Sequence, residues 1–220
     1  MTDYAYDKLQ ELLKREEFIF IPCTMRNINQ TLRVDFIRDY NPKTIICTNG
    51  AQIYIDGNLD KVWDKQMKYL CDENELNKNI KYLEKLKEEY KERIGVIEVR
   101  NIEKFYITVK CIDSYEAEKF YNIINHKFDK NINVLRIEAK IFIIHNRINK
   151  VYAVDYIIKR FNIKKLITSG DTEVDREFTS RGITILPKHS SFKHEKAIIT
   201  EKSKIHATEE ILDYINKIMM

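Results

Sequence analysis

Residues 163–175, IKKLITSGDTEVD, contain a short apolar run that ends in Ser169, Gly170 and Asp171, with a second carboxylate at Asp175. A short apolar run bounded by turn residues is typical of a buried parallel strand. Open α/β sheets bind their ligands at the C-terminal ends of such strands. Two neighbouring carboxylates repel each other, and a hard divalent cation such as Mg²⁺ relieves that repulsion. The alternative is an ordinary strand-to-loop turn, because Gly and Asp are common in turns.

The segment before this strand begins with Lys150 and continues with apolar residues at helical spacing. Those residues are Val151, Val154, Ile157, Ile158 and Phe161. A strand, this helix and the strand that ends before Asp171 form a βαβ unit, whose crossover brings the start of the helix to the edge where the next strand ends. Lys150 is therefore predicted to lie near the two carboxylates and to neutralise a bound phosphate. The alternative is a solvated lysine at a helix start.

Two further apolar runs lie in the first fifty residues. The run FIFIPCT ends at Thr24, with Arg26 two residues later, and the run TIICT at 44–48 is followed by Asn49 and Gly50. Three predicted strands therefore end in hydroxyl, amide, cationic or carboxylate groups. Hydrogen-bond donors, a cation and carboxylates that hold a metal are the groups that phosphate chemistry requires.

Taken together, Thr24 with Arg26, TNGA at 48–51, Lys150 and SGDTEVD at 169–175 resemble the motifs of the haloacid dehalogenase superfamily of phosphohydrolases. The resemblance is to the Cof-like and sucrose-phosphatase-like branch, which carries a cap domain inserted after the third core strand. It implies an α/β fold, with a Rossmann-like, mostly parallel core sheet and an inserted α+β cap. A further similarity, through IPCTMRN at 21–27 and ILPKH at 185–189, is to members encoded beside tellurite-resistance genes.

The resemblance implies a role for each matching residue. Thr24 and Lys150 are the implied catalytic residues: the hydroxyl would hydrogen-bond the phosphoryl oxygens and the ammonium would offset their charge. Asp171 would bind the cofactor Mg²⁺, with Asp175 as a direct or indirect partner of the metal. The implied substrate contacts are Arg26, Asn49 and Gly50.

One departure from the family concerns its nucleophile. Members carry a D-x-D-G-T segment on the first core strand, which supplies the nucleophilic aspartate and the general acid. The sequence contains no such segment, and its early acids Asp3 and Asp7 are four residues apart at the start of a helix. One hypothesis is a Mg²⁺-dependent phosphatase of a small phosphorylated metabolite, impaired because the gene start is misplaced or the N-terminal strand was lost. The other is a non-catalytic relative that binds a phosphorylated ligand or a protein partner.

In the fold that the resemblance implies, the missing strand would lie between the strand ending at Thr24 and the strand ending at Ser169. Unpaired strand edges in a protein interior leave backbone polar groups without partners. The two strands are therefore expected to pair directly, or to receive a strand from a partner and form an oligomer; the remaining alternative is a chain that is only marginally stable.

The middle third of the chain has a different pattern from its two ends. After Gly57, helical stripes are followed by residues 105–111, where apolar and polar side chains alternate, as in an antiparallel strand with one solvated face. The predicted order of elements is helices, β, β, α, β and β. This pattern predicts a core of residues 1–57 and 147–220 and an inserted cap of residues 58–146.

The composition predicts a cytoplasmic protein. The 220 residues are 44% apolar and carry a net charge of +4 without a strong basic patch, a balance that favours small anionic ligands about as much as nucleic acid. The family resemblance implies a small phosphorylated substrate as the partner, and nucleic acid is not an expected partner. No segment is long and apolar enough to span a membrane, and the N-terminus does not have the pattern of a signal peptide. The four cysteines lack paired zinc spacing and are expected to be reduced thiols.

Overall fold

The computed structural model describes residues 1–219. The helices are α1 (Asp3–Leu13), α2 (Ile28–Thr31), α3 (Asp35–Tyr40), α4 (Lys61–Leu70), α5 (Glu73–Glu89), α6 (Ser114–Ile124), α7 (Lys150–Phe161), α8 (Arg176–Thr179) and α9 (Ala207–Met219). The strands are β1 (Thr44–Cys47), β2 (Gln52–Ile55), β3 (Asn58–Leu59), β4 (Val96–Ile102), β5 (Tyr106–Cys111), β6 (Ile132–Ile137), β7 (Lys140–His145), β8 (Ile167–Thr168), β9 (Ile183–Leu186) and β10 (Ile198–Ile199).

A parallel three-stranded sheet has the order β10-β9-β8. Its central strand is fully apolar at Ile185 and Leu186, which are both inaccessible to solvent, as expected for a strand covered on both faces. β8 is short, and the Thr168 hydroxyl donates a hydrogen bond to the carbonyl of Thr179 over 2.6 Å. The predicted strand before Asp171 is therefore present, and it ends beside the loop that carries both carboxylates.

The strands near the N-terminus form a second sheet, which is mostly antiparallel. β1, β2 and β3 pair in this order as a meander. Cys23 forms a single parallel bridge to Ile46. The apolar run before it forms no ladder within residues 1–219, so the strand predicted to end at Thr24 is reduced to this bridge. Pro22 cannot donate to a ladder, and the segment has a strand neighbour on one side only.

A four-stranded antiparallel sheet with the order β4-β5-β7-β6 occupies the middle of the chain. Its alternation directs Ile107, Val109 and Ile143 towards α5 and α6, and Tyr106 and Phe142 towards the cluster that includes α7. The order of elements from α4 to β7 is the order predicted from the sequence. The predicted domain boundaries near residues 58 and 146 stay predictions.

Helix α7 connects this sheet to the parallel one. Its N-cap is Asn149, whose side chain accepts a hydrogen bond from the Val151 backbone, and it ends at Asn162 in the left-handed conformation. The buried face includes Val151, Ala153, Val154 and Ile157, as the helical spacing predicts. Of the helices in residues 1–219, none has both the length and the apolarity needed to cross a bilayer.

Candidate active site

A groove of about 570 Å³ lies between the ends of the core strands and the hairpin formed by β6 and β7. Thr24 and Arg26 line it from the N-terminal sheet, and Lys150, Asp171 and Asp175 line it from α7 and from the loop after β8. The structure thus brings five of the seven predicted site residues into one groove. The other two, Asn49 and Gly50, lie beside it, next to the start of α7.

Lys150 and Asp175 form an ion pair at the floor of the groove. Lys150 Nζ donates to Asp175 Oδ1 over 2.5 Å, and the two side chains are only 6% and 8% exposed. The ammonium also lies 5.8 Å from the ring centroid of Phe178, which places it over an aromatic face. Each charge is therefore compensated by the other in a poorly solvated place.

The second oxygen of Asp175 holds the loop after β8. Oδ2 accepts hydrogen bonds from the backbone nitrogens of Asp171 and Thr172, both over 3.2 Å, and from the Thr172 hydroxyl over 3.0 Å. A Cβ atom on Gly170 would lie 2.4 Å from Asp175 Cβ, so the loop packs on this side chain only with a glycine there. Both oxygens of Asp175 are engaged by the protein itself.

Asp171 has the opposite character, because its side chain is 55% exposed. A neighbouring imidazole is that of His189, whose Nε2 lies 3.8 Å from Oδ2. Its backbone oxygen accepts a hydrogen bond from the Ser191 nitrogen over 2.8 Å, which fixes the peptide while the carboxylate faces solvent. Asp171 is therefore better placed than Asp175 to bind a cation directly.

The residues present fit a Mg²⁺ ion that takes few of its ligands from the protein. Within residues 1–219, no group of three or more His, Cys, Asp or Glu side chains could enclose a metal ion. Mg²⁺ is commonly held by one or two carboxylates together with water and substrate phosphate. Asp171 supplies one such carboxylate at the mouth of the groove, so the remaining ligands would come from water and from a bound phosphate.

Thr24 is fixed by its backbone and keeps its hydroxyl hydrogen available. Its nitrogen donates to the Ile46 carbonyl over 2.9 Å and its carbonyl accepts from the Asn49 nitrogen over 3.1 Å. The hydroxyl oxygen accepts the Arg26 backbone N–H over 3.2 Å, which leaves the O–H free to donate. The Arg26 side chain is exposed at the rim of the groove.

Asn49 and Gly50 belong to a buried turn and contact the protein rather than the groove. The Asn49 amide nitrogen donates to the Ile148 carbonyl over 3.0 Å. Asn49 also lines a neighbouring cavity of about 460 Å³ beneath β6, which is bordered by Glu173 and Arg176. The predicted substrate contacts at Arg26, Asn49 and Gly50 stay predictions.

Two groove residues were not predicted as functional. Burial raises the pKa of the Cys23 thiol to about 12, although the nearby Lys150 ammonium acts in the opposite direction, so this cysteine is a poor nucleophile at neutral pH. Phe142 on β7 forms part of the opposite wall. The sequence offered no signal for it, because β7 is apolar at four consecutive residues, 141–144.

A family model described as sucrose-6F-phosphate phosphohydrolase matches residues 2–213. No curated protein sequence gives a significant match. The sucrose-phosphatase of Synechocystis, solved with sucrose and phosphate, is similar with a TM-score of 0.69 and 14% identity, over 99% of this chain and 92% of that one.

Two other solved structures show the same likeness at lower scores. A haloacid dehalogenase-like hydrolase from B. subtilis has a TM-score of 0.59 and 12% identity, over 97% of this chain and 93% of that one. Trehalose-6-phosphate phosphatase from Aspergillus fumigatus has a TM-score of 0.51 and 11% identity, over 98% of this chain and 84% of that one. These likenesses confirm the predicted fold class, an α/β protein with a Rossmann-like core and a cap.

Proposed function

Because the chain belongs to the sucrose-6F-phosphate phosphohydrolase family, within the haloacid dehalogenase superfamily, we propose that it acts on the phosphate monoester of a small metabolite. One observation carries the proposal. The buried Lys150–Asp175 pair opens onto the same groove as Thr24 and Asp171, which gathers a cation, a hydroxyl donor and a free carboxylate at the strand ends. The neighbouring cavity under β6 offers space for the rest of the substrate.

Lys150 and Thr24 would bind the phosphoryl group. An ammonium has three N–H donors, and within the described residues Lys150 uses one of them, on Asp175. Two donors and the positive charge therefore remain for an anion in the groove. The Thr24 hydroxyl supplies a further donor in the same groove. Such donors stabilise the charge that develops on a transferring phosphoryl group.

Asp171 would hold Mg²⁺ at the mouth of the groove, with Asp175 behind it as the residue that fixes the loop and orients Lys150. Bound Mg²⁺ supplies further neutralisation of the charge on the phosphoryl oxygens. Since Asp175 is occupied by Lys150 and by backbone N–H groups, its contribution to the metal is indirect.

In the reaction that the family resemblance implies, an aspartate attacks phosphorus and water then hydrolyses the aspartyl-phosphate. The acidic side chains that line the groove in residues 1–219 are Glu138, Asp171 and Asp175. Asp171 and Asp175 already have assigned roles, and Glu138 lies on the hairpin. This observation favours a second candidate function, a non-catalytic protein that binds a phosphorylated ligand or a protein partner.

A strand from a second copy of the chain could complete the site. Cys23 is bridged to Ile46 on one side, and β8 pairs with β9 on one side. Within residues 1–219 no ladder joins Cys23 to β8. A strand from a second copy that pairs between them would place its side chains in the groove. Native mass spectrometry would then show a dimer; a monomer with full activity would contradict this arrangement.

Hydrolysis of an aryl phosphate with Mg²⁺, together with calorimetric titration of inorganic phosphate, tests the two functions. Turnover that Asp171→Asn abolishes supports the phosphohydrolase. Phosphate binding without turnover supports the non-catalytic protein, and the absence of both contradicts both. The groove would be the wrong site if Asp3→Asn or Asp7→Asn abolished turnover while Thr24→Val and Asp171→Asn left turnover unchanged.

A further inference from the structure

The start of helix α7, which carries Lys150, is held by the turn at residues 48–50. The Asn49 amide donates to the Ile148 carbonyl over 3.0 Å. A Cβ atom on Gly50 would lie 2.7 Å from the Asn149 oxygen and 3.1 Å from Lys150 Cα, and Gly50 has a φ of +89°. The backbone of the turn is thus in direct contact with the peptide that positions Lys150, and only glycine allows that approach.

Trp63 fixes the same turn from its other side. The indole Nε1 donates to the Gly50 carbonyl over 2.9 Å, and Trp63 is only 5% exposed. The indole also packs on Tyr156 of α7, with ring centroids 4.9 Å apart. Trp63 therefore contacts both the turn and the helix on which Lys150 depends.

Asp60 connects the start of α4 to α7. Its Oδ1 accepts from the backbone nitrogens of Val62 and Trp63, over 3.0 and 3.2 Å, which caps α4. Its Oδ2 accepts from Arg160 over 2.6 Å and from the Tyr156 hydroxyl over 3.0 Å. The Asp60 side chain is 3% exposed, whereas the Arg160 side chain is 41% exposed, so the carboxylate that accepts these bonds is buried while the guanidinium reaches solvent.

These contacts form a closed circuit from α7 to the turn, to Trp63, to Asp60 and back to α7. We propose that Trp63 and Asp60 are positioning residues that hold the Lys150 ammonium in the phosphoryl site. The inference deepens the proposed function and rests on it. It also gives Asn49 and Gly50 a role in placing Lys150. A small displacement of a group that binds a transferring phosphoryl group has a large effect on its contribution.

Two conservative variants test the circuit. Trp63→Phe keeps an aromatic ring but removes the N–H donor to Gly50, and Asp60→Asn keeps a capping side chain but removes the charge that pairs with Arg160. The matched control is Asp155→Asn, which removes the exposed Asp155–Arg181 ion pair on the outer side of the same helix. Circular dichroism establishes that each variant is folded.

The first readout is the ¹H–¹⁵N NMR signal of the Lys150 ammonium, which is assigned by its loss in Lys150→Arg. The second is the dissociation constant of inorganic phosphate, measured by calorimetry. We expect Trp63→Phe and Asp60→Asn to shift or broaden the Lys150 signal and to weaken phosphate binding about tenfold. Asp155→Asn should change neither. A role in stability alone would leave both readouts of the folded protein unchanged.

An unchanged Lys150 signal in a folded Trp63→Phe or Asp60→Asn variant would overturn the inference, whatever the phosphate result. If Trp63→Phe does not fold, the Asp60→Asn result decides. The proposed function is rejected separately if the wild-type protein neither binds inorganic phosphate nor hydrolyses the aryl phosphate. A Lys150 signal that moves in both variants would then still show that Trp63 and Asp60 position Lys150.

Discussion

Lys150 Nζ lies 2.5 Å from Asp175 Oδ1, and the opposite oxygen of the same carboxylate accepts the backbone N–H groups of Asp171 and Thr172. One buried carboxylate therefore fixes both the cation of the groove and the loop that carries the exposed carboxylate. Because the two aspartates differ in burial and in partners, their substitution should have different consequences.

Asp175→Asn should destabilise the protein strongly. The variant leaves the Lys150 ammonium buried without a counter-charge, and removing one partner of a buried ion pair typically costs about 3–5 kcal/mol. Urea unfolding measures the loss in the free energy of unfolding. The matched Asp171→Asn variant alters a half-exposed carboxylate and should change that free energy by less than about 1 kcal/mol. Equal losses in both variants would contradict the distinction.

A double-mutant cycle isolates the coupling of Lys150 and Asp175. Lys150→Met and Asp175→Asn should each destabilise the fold by leaving the other group unpaired. The double variant should be more stable than the sum of the single losses predicts, by about 0.5–3 kcal/mol, because the residues are in contact. Urea unfolding of all four proteins gives the coupling free energy. Additive losses would show that the two groups do not interact in solution.

Mg²⁺ alone should bind weakly, and Asp171 should be the main determinant. The described residues offer one exposed carboxylate at this place and no enclosing cluster, so most ligands must come from water and phosphate. Calorimetry should detect tighter binding of Mg²⁺ when inorganic phosphate is present, and Asp171→Asn should remove the difference. Tight binding of Mg²⁺ alone that survives Asp171→Asn would refute this assignment.

Gly170→Ala should disturb the groove through Asp175. The added methyl group would lie 2.4 Å from Asp175 Cβ, and the carboxylate cannot retreat without losing its buried bonds. Overpacking of this kind costs about 1–3 kcal/mol. The control is Gly57→Asn, since Gly57 has no atom within 4 Å of an added Cβ and Asn tolerates its positive φ. Thermal unfolding should show a lower midpoint for Gly170→Ala only.

The Glu209 carboxylate should make stability depend on acidity below pH 4.5. A hydrogen bond from Lys202, followed by one from Thr2, lowers the pKa of Glu209 from 4.5 to about 2. The folded protein therefore favours the ionised Glu209 carboxylate more than the unfolded chain does. This preference contributes to the free energy of unfolding above pH 4.5, and the contribution is lost as the pH falls towards about 2. Glu209→Gln should flatten the acid limb of a pH–stability profile, and an unchanged limb would contradict the prediction.

Local patterns predicted the elements whose partners are close in sequence. The helical spacing after Lys150 and the apolar run before Asp171 are each complete within about a dozen residues, so their structure follows from short-range periodicity. The alternation at residues 105–111 likewise predicted β5. These signals were sufficient to predict that Lys150 and Asp171 lie in one groove, whereas the fold class was predicted from the resemblance to the haloacid dehalogenase superfamily.

The remaining features depend on contacts between distant residues. The run that ends at Cys23 is apolar enough for a strand, but a ladder requires neighbours that its own sequence does not specify. The engagement of both Asp175 oxygens follows from the path of the loop and not from the spacing of two carboxylates. The bond from Trp63 to Gly50 leaves no periodic signal, although Asp60 before an amphipathic helix does indicate an N-cap.

Trp63 is the only tryptophan of the chain, and its indole is hydrogen-bonded to the turn beside Lys150. Tryptophan fluorescence therefore reports on one place in the molecule. Through Gly50, that place contacts the backbone of Asn149 and Lys150. Trp63 is therefore an intrinsic optical probe beside the proposed anion site, and its emission during a titration with inorganic phosphate tests occupancy of the groove without an attached label.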